Sequence, residues 1–304
     1  MDWQKKGLIY CPKGEFGWND NTFLTPTPFL LNEETIRIYG GMRDKSGISR
    51  IGYVDVRADN PSEIIQVSKQ PVLDTGIPGG FDDNGLILGD VIRHDDKIYM
   101  YYVGFQLVKQ AKFLAFSGLA ISHDNGESFE RVQPTAVMDR TPNALYIRAI
   151  HSVLVEDGIF KVWYSVGCGW ELINGAEYPQ YDIRYTESKD GIHFPDWEGI
   201  SCVKPAEGEY RIGRPRVRRI DDKYEMRFTY DTLTKDYRNG IAHSDDGIHW
   251  TRLEGTDLPP SGGEGWDSIE VSYPCILKTK YGTYAFYDGN GMGQTGFGYA
   301  ELKA

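Results

Sequence analysis

Two adjacent carboxylates, Asp82 and Asp83, lie in the stretch 79–85 (Gly-Gly-Phe-Asp-Asp-Asn-Gly), just ahead of the apolar run Leu86, Ile87 and Leu88. Glycines on both sides permit sharp turns, so one carboxylate can enter a cavity while the other folds back onto the turn amides. A carboxylate in a cavity can move a proton or attack an electrophilic carbon; one bonded to its own turn only holds the backbone. Glu270 and His151 are further groups that can exchange protons. Arg43, Arg148, Arg214 and Arg216 carry planar forks of N–H donors that match a carboxylate or a phosphate. These residues are scattered over most of the chain, so everything depends on which elements bring them together.

Composition narrows the partners. The chain has 304 residues, 13% of them aromatic, with 20 Tyr and 7 Trp, which favours strands and stacking surfaces. Its net charge of −11, with no block of Lys and Arg, opposes binding to nucleic acid. The apolar run at 7–11 is too short for a signal-peptide core and no stretch approaches membrane-spanning length. The expected location is therefore the cytoplasm, without membrane insertion. Cys11, Cys168, Cys202 and Cys275 are widely spaced with no C-x-x-C pair, as expected of buried structural thiols. No His-x-Glu motif or clustered ligand spacing implies a metal, and no other cofactor is expected.

The positioning elements emerge from a repeat. Short aromatic segments at 35–39, 99–102, 160–164, 224–228 and 283–287 end on Tyr39, Tyr102, Tyr164, Phe228 and Tyr287, in steps of 63, 62, 64 and 59 residues. Each follows another strand-like segment and a polar hairpin, and each precedes a third strand such as that at 51–54 or 183–186. Three copies of one turn then recur: Ser122 to Gly126 with Phe129, Ser188 to Gly191 with Phe194, and Ser244 to Gly247 with Trp250. In each, Ser and Asp can bond turn amides and Gly supplies a positive φ, so these Asp residues punctuate the fold. The pattern predicts an all-β chain: one domain, residues 1–304, folded as a five-bladed β-propeller. The amino-terminal strand is expected to complete the last blade and close the ring.

In such a blade the start of the innermost strand and the loop between the second and third strands lie at one end. Asp82, Asp83, Arg148, His151, Arg214, Arg216 and Glu270 fall at inner-strand entries. Arg43, Asp44, Trp170, Tyr230, Asp288 and Asn290 fall on the second-to-third loops. Charges gathered there must either neutralise one another in a ring of ion pairs or bind something. The arginines suit an anionic group, and Trp170 and Tyr230 suit the face of a sugar.

With these features the sequence resembles the five-bladed propeller glycosidase superfamily, which contains glycoside hydrolase families 43 and 32 and the family 130 phosphorylases. The resemblance rests on the blade count, the Ser-x-Asp-x-Gly hairpins, Arg43-Asp44, Asp82-Asp83 and the run Gly265-Trp266-Asp267-Ser268. It is especially close to bacterial family 43-type proteins linked to surface-glycan metabolism. Family 43 places Asp, Asp and Glu on its first three inner strands. Here Asp20 is the counterpart of the first and Asp83 or Asp82 of the second, whereas the third carries Tyr146 to His151 with no Glu. The resemblance therefore implies a glycoside hydrolase-like activity with Asp83 as base or nucleophile, Glu270 as acid, His151 as substitute acid and Asp82 in support. Transfer to phosphate or to an acceptor sugar is one alternative; a catalytically silent carbohydrate-binding propeller is another. The implied partner is a carbohydrate or sugar-derived small molecule.

Overall fold

The structure, a computed structural model, describes residues 1–197, 199–235 and 237–303. It is almost entirely β-structure, built from antiparallel meanders in sequence order. An outer strand, β1 (Trp3–Tyr10), comes first. Then follow β2 (Asn21–Asn32), β3 (Thr35–Arg43), β4 (Ser49–Arg57) and β5 (Ile64–Val67). The next meander comprises β6 (Leu86–His94), β7 (Lys97–Gln106), β8 (Leu114–Ser122) and β9 (Glu130–Arg131). It is followed by β10 (Ile147–Glu156), β11 (Ile159–Ile173), β12 (Ala176–Ser188) and β13 (Ile200–Val203). After β14 (Glu209–Ile220), β15 (Lys223–Thr232), β16 (Arg238–Ser244) and β17 (Thr251–Arg252) come β18 (Ser272–Lys278), β19 (Thr283–Asp288) and β20 (Phe297–Leu302). β1 pairs with β20 and supplies the fourth strand of that last sheet. One departure from the expected separation is a short parallel bridge, Ile147 with Ala115 and Arg148 with Phe116, which joins the second and third meanders. The first strands neighbour one another in succession, β2 against β6, β6 against β10, β10 against β14, β14 against β18, and β18 against β2.

The recurring hairpins fasten successive sheets. Asp190 Oδ1 accepts the amides of Ile192 and His193 at 2.9 Å, and Asp246 Oδ1 those of Ile248 and His249 at 2.8 Å. Asp124 is likewise bonded by Ser128 and Ser122, and its pKa is held down at about 2. Each hairpin offers its glycine carbonyl to an aromatic donor on the preceding sheet. Tyr39 bonds Gly126 O at 3.0 Å, Tyr101 bonds Gly191 O at 2.9 Å, and Trp163 bonds Gly247 O at 2.7 Å. Glycine is required twice over at Gly126: its φ is +88°, and a Cβ there would meet the Tyr39 hydroxyl at 2.1 Å. These rings are fully buried, so the same side chains supply apolar packing and satisfy a carbonyl at the sheet-to-sheet contact.

Each first strand carries a bulge at a corresponding place, between Leu24 and Thr27, Leu88 and Asp90, Ile150 and Ser152, Gly213 and Arg216, and Ser272 and Cys275. These bulges repeat at the spacing of the aromatic strands. Thr25, Arg214 and Tyr273 take positive φ (58°, 58° and 54°) and each precedes a proline. A bulge is where a strand tolerates both, because the ladder is already broken there. In β6 the position is Gly89, where a Cβ would meet Ile150 O at 2.5 Å.

Between the first strands Arg216 makes contacts with three others. Its Nη1 donates to Asp90 Oδ1 and to His151 O, both at 3.0 Å, and its Nη2 donates to Thr27 Oγ1. Asp90 Oδ2 in turn accepts the Val153 amide at 2.8 Å. All four cysteines are free and, against the expectation of buried thiols, Cys11, Cys202 and Cys275 are only half-buried, while Cys168, at a bulge of β11 between Gly167 and Gly169, is exposed.

Removing one member of this knot leaves a buried charge without its partner. We expect Arg216→Met to destabilise the fold by about 3–5 kcal/mol, and the double change with Asp90→Leu to recover much of that loss. Urea midpoints of the two variants, corrected for slope, check this; equal losses would mean that the Arg216–Asp90 pair does not carry the effect.

Candidate functional site

The bulges decide which side chains reach the centre. A cavity of about 330 Å³ opens there, and His151, Arg214 and Tyr273, three of the bulge residues, line it. Arg43 from the end of β3, Lys112 from the loop after β7 and Arg211 from β14 add positive charge. Phe105, Phe113, Tyr178 and Tyr181 make aromatic walls. No carboxylate is among the described lining residues. A larger surface hollow of about 600 Å³, lined by Tyr53, Ile64, Gln66 and Glu127 among others, gathers no such set of cations.

The cations differ in their partners. Arg211 is paired with Asp231 at 2.8 Å and lies among Tyr181, Tyr210 and Tyr237. Arg214 donates to Leu88 O at 2.7 Å and to His151 Nδ1 at 3.0 Å, and lies 4.9 Å from the centre of the Tyr273 ring. The Arg43 guanidinium makes no hydrogen bond or ion pair among the described residues. Burial pushes both Arg43 and Arg214 below the usual guanidinium range, as expected of buried cations without a full counter-charge. An anion entering the cavity would supply that charge.

His151 is a neutral donor here. Arg214 donates to its Nδ1, which places the ring proton on Nε2. Burial first, then the positive charges of Arg214 and Arg216, hold its pKa well below the ordinary value. The ring can thus offer an N–H to a ligand, but at neutral pH it has no second proton to deliver as an acid.

Among the expected catalytic groups, Asp82 and Asp83 do not line the cavity. Asp82 is buried against Arg131 and Tyr102, whose Nε and hydroxyl reach Oδ2 at 2.8 and 3.1 Å. Asp83 Oδ2 accepts the Gly79 amide at 2.8 Å and holds the turn. Glu270 lies beside the cavity, in an adjoining hollow of about 430 Å³ lined also by Lys235, Tyr237 and Arg238. Its Oε2 accepts the Gly291 amide at 2.9 Å, and its Oε1 accepts the amide of Met292, a cavity-lining residue, at 3.1 Å. Burial raises its pKa, with the charge of Asp231 adding in the same direction.

The remaining expected binding groups divide in the same way. Arg148 is buried and donates to the carbonyls of Asp139, Pro195 and Trp197, so its fork is turned away from the cavity. Arg216 is occupied by the central knot. Asp44 caps its own turn and pairs with Arg50. Asn290 holds the backbone around Glu270, accepting the amides of Ile269 and Glu270 at 2.9 and 3.0 Å. Tyr230 packs near Arg252, and Trp170 makes edge contacts with Phe113 and Tyr146. Asp288 is fully buried; its Oδ2 accepts the Thr25 amide at 3.2 Å while Oδ1 has no partner, and burial raises its pKa well above the usual carboxylate range. Lys112, Arg211, Tyr178, Tyr181 and Tyr273 line the cavity without having been expected there. The signal for Tyr273 was in the chain: Thr25-Pro26, Arg214-Pro215 and Tyr273-Pro274 recur in phase with the aromatic strands. Among the described residues no group of three or more His, Cys, Asp and Glu could hold a metal ion.

The depressed His151 pKa has a consequence for stability. As pH falls below about 6.5 the unfolded chain takes up a proton at this position that the folded chain refuses, so stability present above that pH is lost on acidification. The slope from this one group reaches about 1.4 kcal/mol per pH unit until the folded-state pKa is met. The urea midpoint of the wild type should therefore fall more steeply between pH 7 and pH 5 than that of His151→Gln. Parallel slopes would mean that the folded chain protonates His151 normally.

No family model matches the chain. The "Uncharacterized protein Rv1502" of Mycobacterium tuberculosis (strain ATCC 25618 / H37Rv) is 32% identical over 309 residues, covering all of both chains. Among solved structures, a glycosyl hydrolase from Bacteroides ovatus superposes with a TM-score of 0.69 at 16% identity, over 100% of this chain and 90% of the other. A structure from the GH130 family of mannoside phosphorylases, which contains glycoside hydrolases that target beta-1,2 mannosidic linkages in Candida mannan, gives 0.67 at 15% identity, over 100% and 90%. The chain therefore belongs to the family of Rv1502, and its fold is that of the glycosidase-like propellers.

Proposed function

We propose that the successive meanders are the five blades of a propeller closed by β1, and that the chain is a glycosidase-like enzyme acting on a sugar with an anionic group. The observation that carries this reading is the central cavity: among the described residues it is lined by Arg43, Lys112, Arg211 and Arg214 without a carboxylate, and the Arg43 guanidinium makes no hydrogen bond or ion pair. The anionic end of the sugar would occupy this cavity, receiving charge-assisted hydrogen bonds from Arg43 and Arg214 and an N–H from His151. The glycosidic bond would lie at the border of the adjoining hollow, where Glu270, with its raised pKa, would protonate the leaving oxygen.

Phosphorolysis is the second reading, and the same lining favours it. Hydrolysis generally requires a second carboxylate to activate water or to attack the sugar. In phosphorolysis a phosphate oxygen attacks the anomeric carbon, the bond to the leaving oxygen breaks, and Glu270 supplies that oxygen with its proton. The protein then needs one acid and a set of cations, which are the groups gathered here.

Turnover of anionic and neutral glycosides, measured with and without inorganic phosphate, tests both readings. We expect Glu270→Gln to abolish turnover, and Arg43→Gln to lower kcat/KM for anionic substrates about 10- to 100-fold while sparing neutral ones. Phosphate-dependent turnover would select phosphorolysis. Binding of an anionic sugar without turnover under either condition would sink the enzymatic reading and leave a carbohydrate-binding propeller. An unchanged anion preference in Arg43→Gln would sink the placement of the anion.

A further inference from the structure

The third sheet carries an extension that the cavity alone does not require. Beyond the β11 bulge, the pairs from Gly169–Gln180 to Ile173–Ala176 continue β11 and β12 as a two-stranded arm. An isolated ribbon of this kind is marginal in water, so its position depends on side-chain contacts. Trp170 at its base packs on Phe113 at 5.7 Å and on Tyr146 at 6.1 Å, and Phe113 packs on Phe105 at 5.2 Å. Tyr178 lies below Lys112 at 5.3 Å and Lys235 at 4.0 Å, cations from the loops of two other sheets. The arm thus borders the cavity, and Tyr178, Pro179 and Tyr181 form part of the lining.

Three segments contribute rings to this aromatic cluster, and each exposes a leucine within two residues of its ring, Leu107 after Phe105, Leu145 before Tyr146 and Leu172 after Trp170. Leu107 in the loop after β7 is 63% exposed, Leu145 ahead of β10 is 48% exposed, and Leu172 on the arm is 68% exposed. Single exposed leucines are ordinary; three on converging segments around an aromatic base form a platform. It is continuous with the cavity, because Phe105 and Phe113 belong to both, and Lys112 stands where they join. An apolar platform next to a cationic cavity complements one kind of ligand.

We propose that the ligand is amphiphilic, with its anionic head in the cavity and an alkyl aglycone laid across the platform of Phe105, Phe113, Tyr146 and Trp170, which Leu107 and Leu172 flank. The head-group part rests on the reading of the cavity given above, whereas the platform is separate from it. Leu107 and Leu172 determine specificity for the aglycone.

Binding measured by calorimetry with matched probes tests this: methyl and octyl phosphate, methyl and octyl β-glucuronide, and octyl β-glucoside, all below their micelle concentrations. We expect at least one octyl anion to bind ten times or more tighter than its methyl counterpart, since each buried methylene adds to affinity. Leu107→Ser with Leu172→Ser should reduce the octyl compound to the methyl affinity and leave methyl binding unchanged, while Arg43→Gln should weaken both equally. Octyl glucoside bound through the leucines with no anion bound would overturn the cavity reading and retain the platform. Equal octyl and methyl affinities, no binding of any octyl compound, or equal loss of both in the leucine variant would overturn the proposal. So would a concentration-dependent dimer in sedimentation that the leucine variant abolishes, because the platform would then be covered by a second copy of the protein.

Discussion

One guanidinium ties together most of the centre of the molecule. From β14, Arg216 reaches Thr27 on β2, Asp90 on β6 and the carbonyl of His151 on β10. Strands separated by long stretches of sequence have few local reasons to meet, and apolar packing alone does not specify their relative height. Directional bonds from a planar fork do, because the donors fail to match unless the strands are in register. Burying the group is costly, and the cost is offset only when its donors are satisfied by acceptors at the right distance. Arg216 is therefore better understood as a setting of geometry than as a source of net stability.

That knot has a direct effect on the chemistry above it. By fixing the carbonyl of His151, Arg216 holds the bulge at which the imidazole turns toward the cavity. Arg214, two residues away on the same strand, then meets the ring at Nδ1. Burial first, and then the two cations so close to it, keep the imidazole neutral. The result is a cavity whose fixed charges are positive and whose histidine donates without adding to that charge. Two carboxyl groups of this region shift in the opposite direction to the imidazole: Glu270 and Asp288 both rise, since each is deprived of water and each feels another acid nearby.

Much of the architecture was legible in the sequence because it rests on local chemistry repeated at a regular interval. Aromatic strands followed by hairpins that open Ser-x-Asp and turn on Gly state the meander directly, and the structure places Tyr39, Tyr101 and Trp163 against the carbonyls of the following hairpins. The pairing of β1 with β20 was likewise foreseeable, as the last repeat carried three strands and the amino terminus one. Internal neutralisation of the gathered charges was also foreseeable, but it joins other partners than position in the repeat suggests. Asp82 is held by Arg131, while Arg216 is held by Asp90.

The residues that would face a ligand were less legible, and the bulges give the reason. Side chains alternate across a strand, so one extra residue reverses which of its neighbours point inward. In β14 this turns Arg214 to the cavity and Arg216 to the knot, although the two look equivalent when the strand is read as regular. Asp82 and Asp83 seemed suited to chemistry because of residue type and position, but type does not reveal whether an acid already has partners. Turn chemistry and spacing along the chain were enough to set the β-architecture and the repeat, since each of these follows from neighbours in sequence. Which charges are spent on one another and which remain open was settled in three dimensions, because that depends on atoms brought within about 3 Å from strands far apart in the sequence.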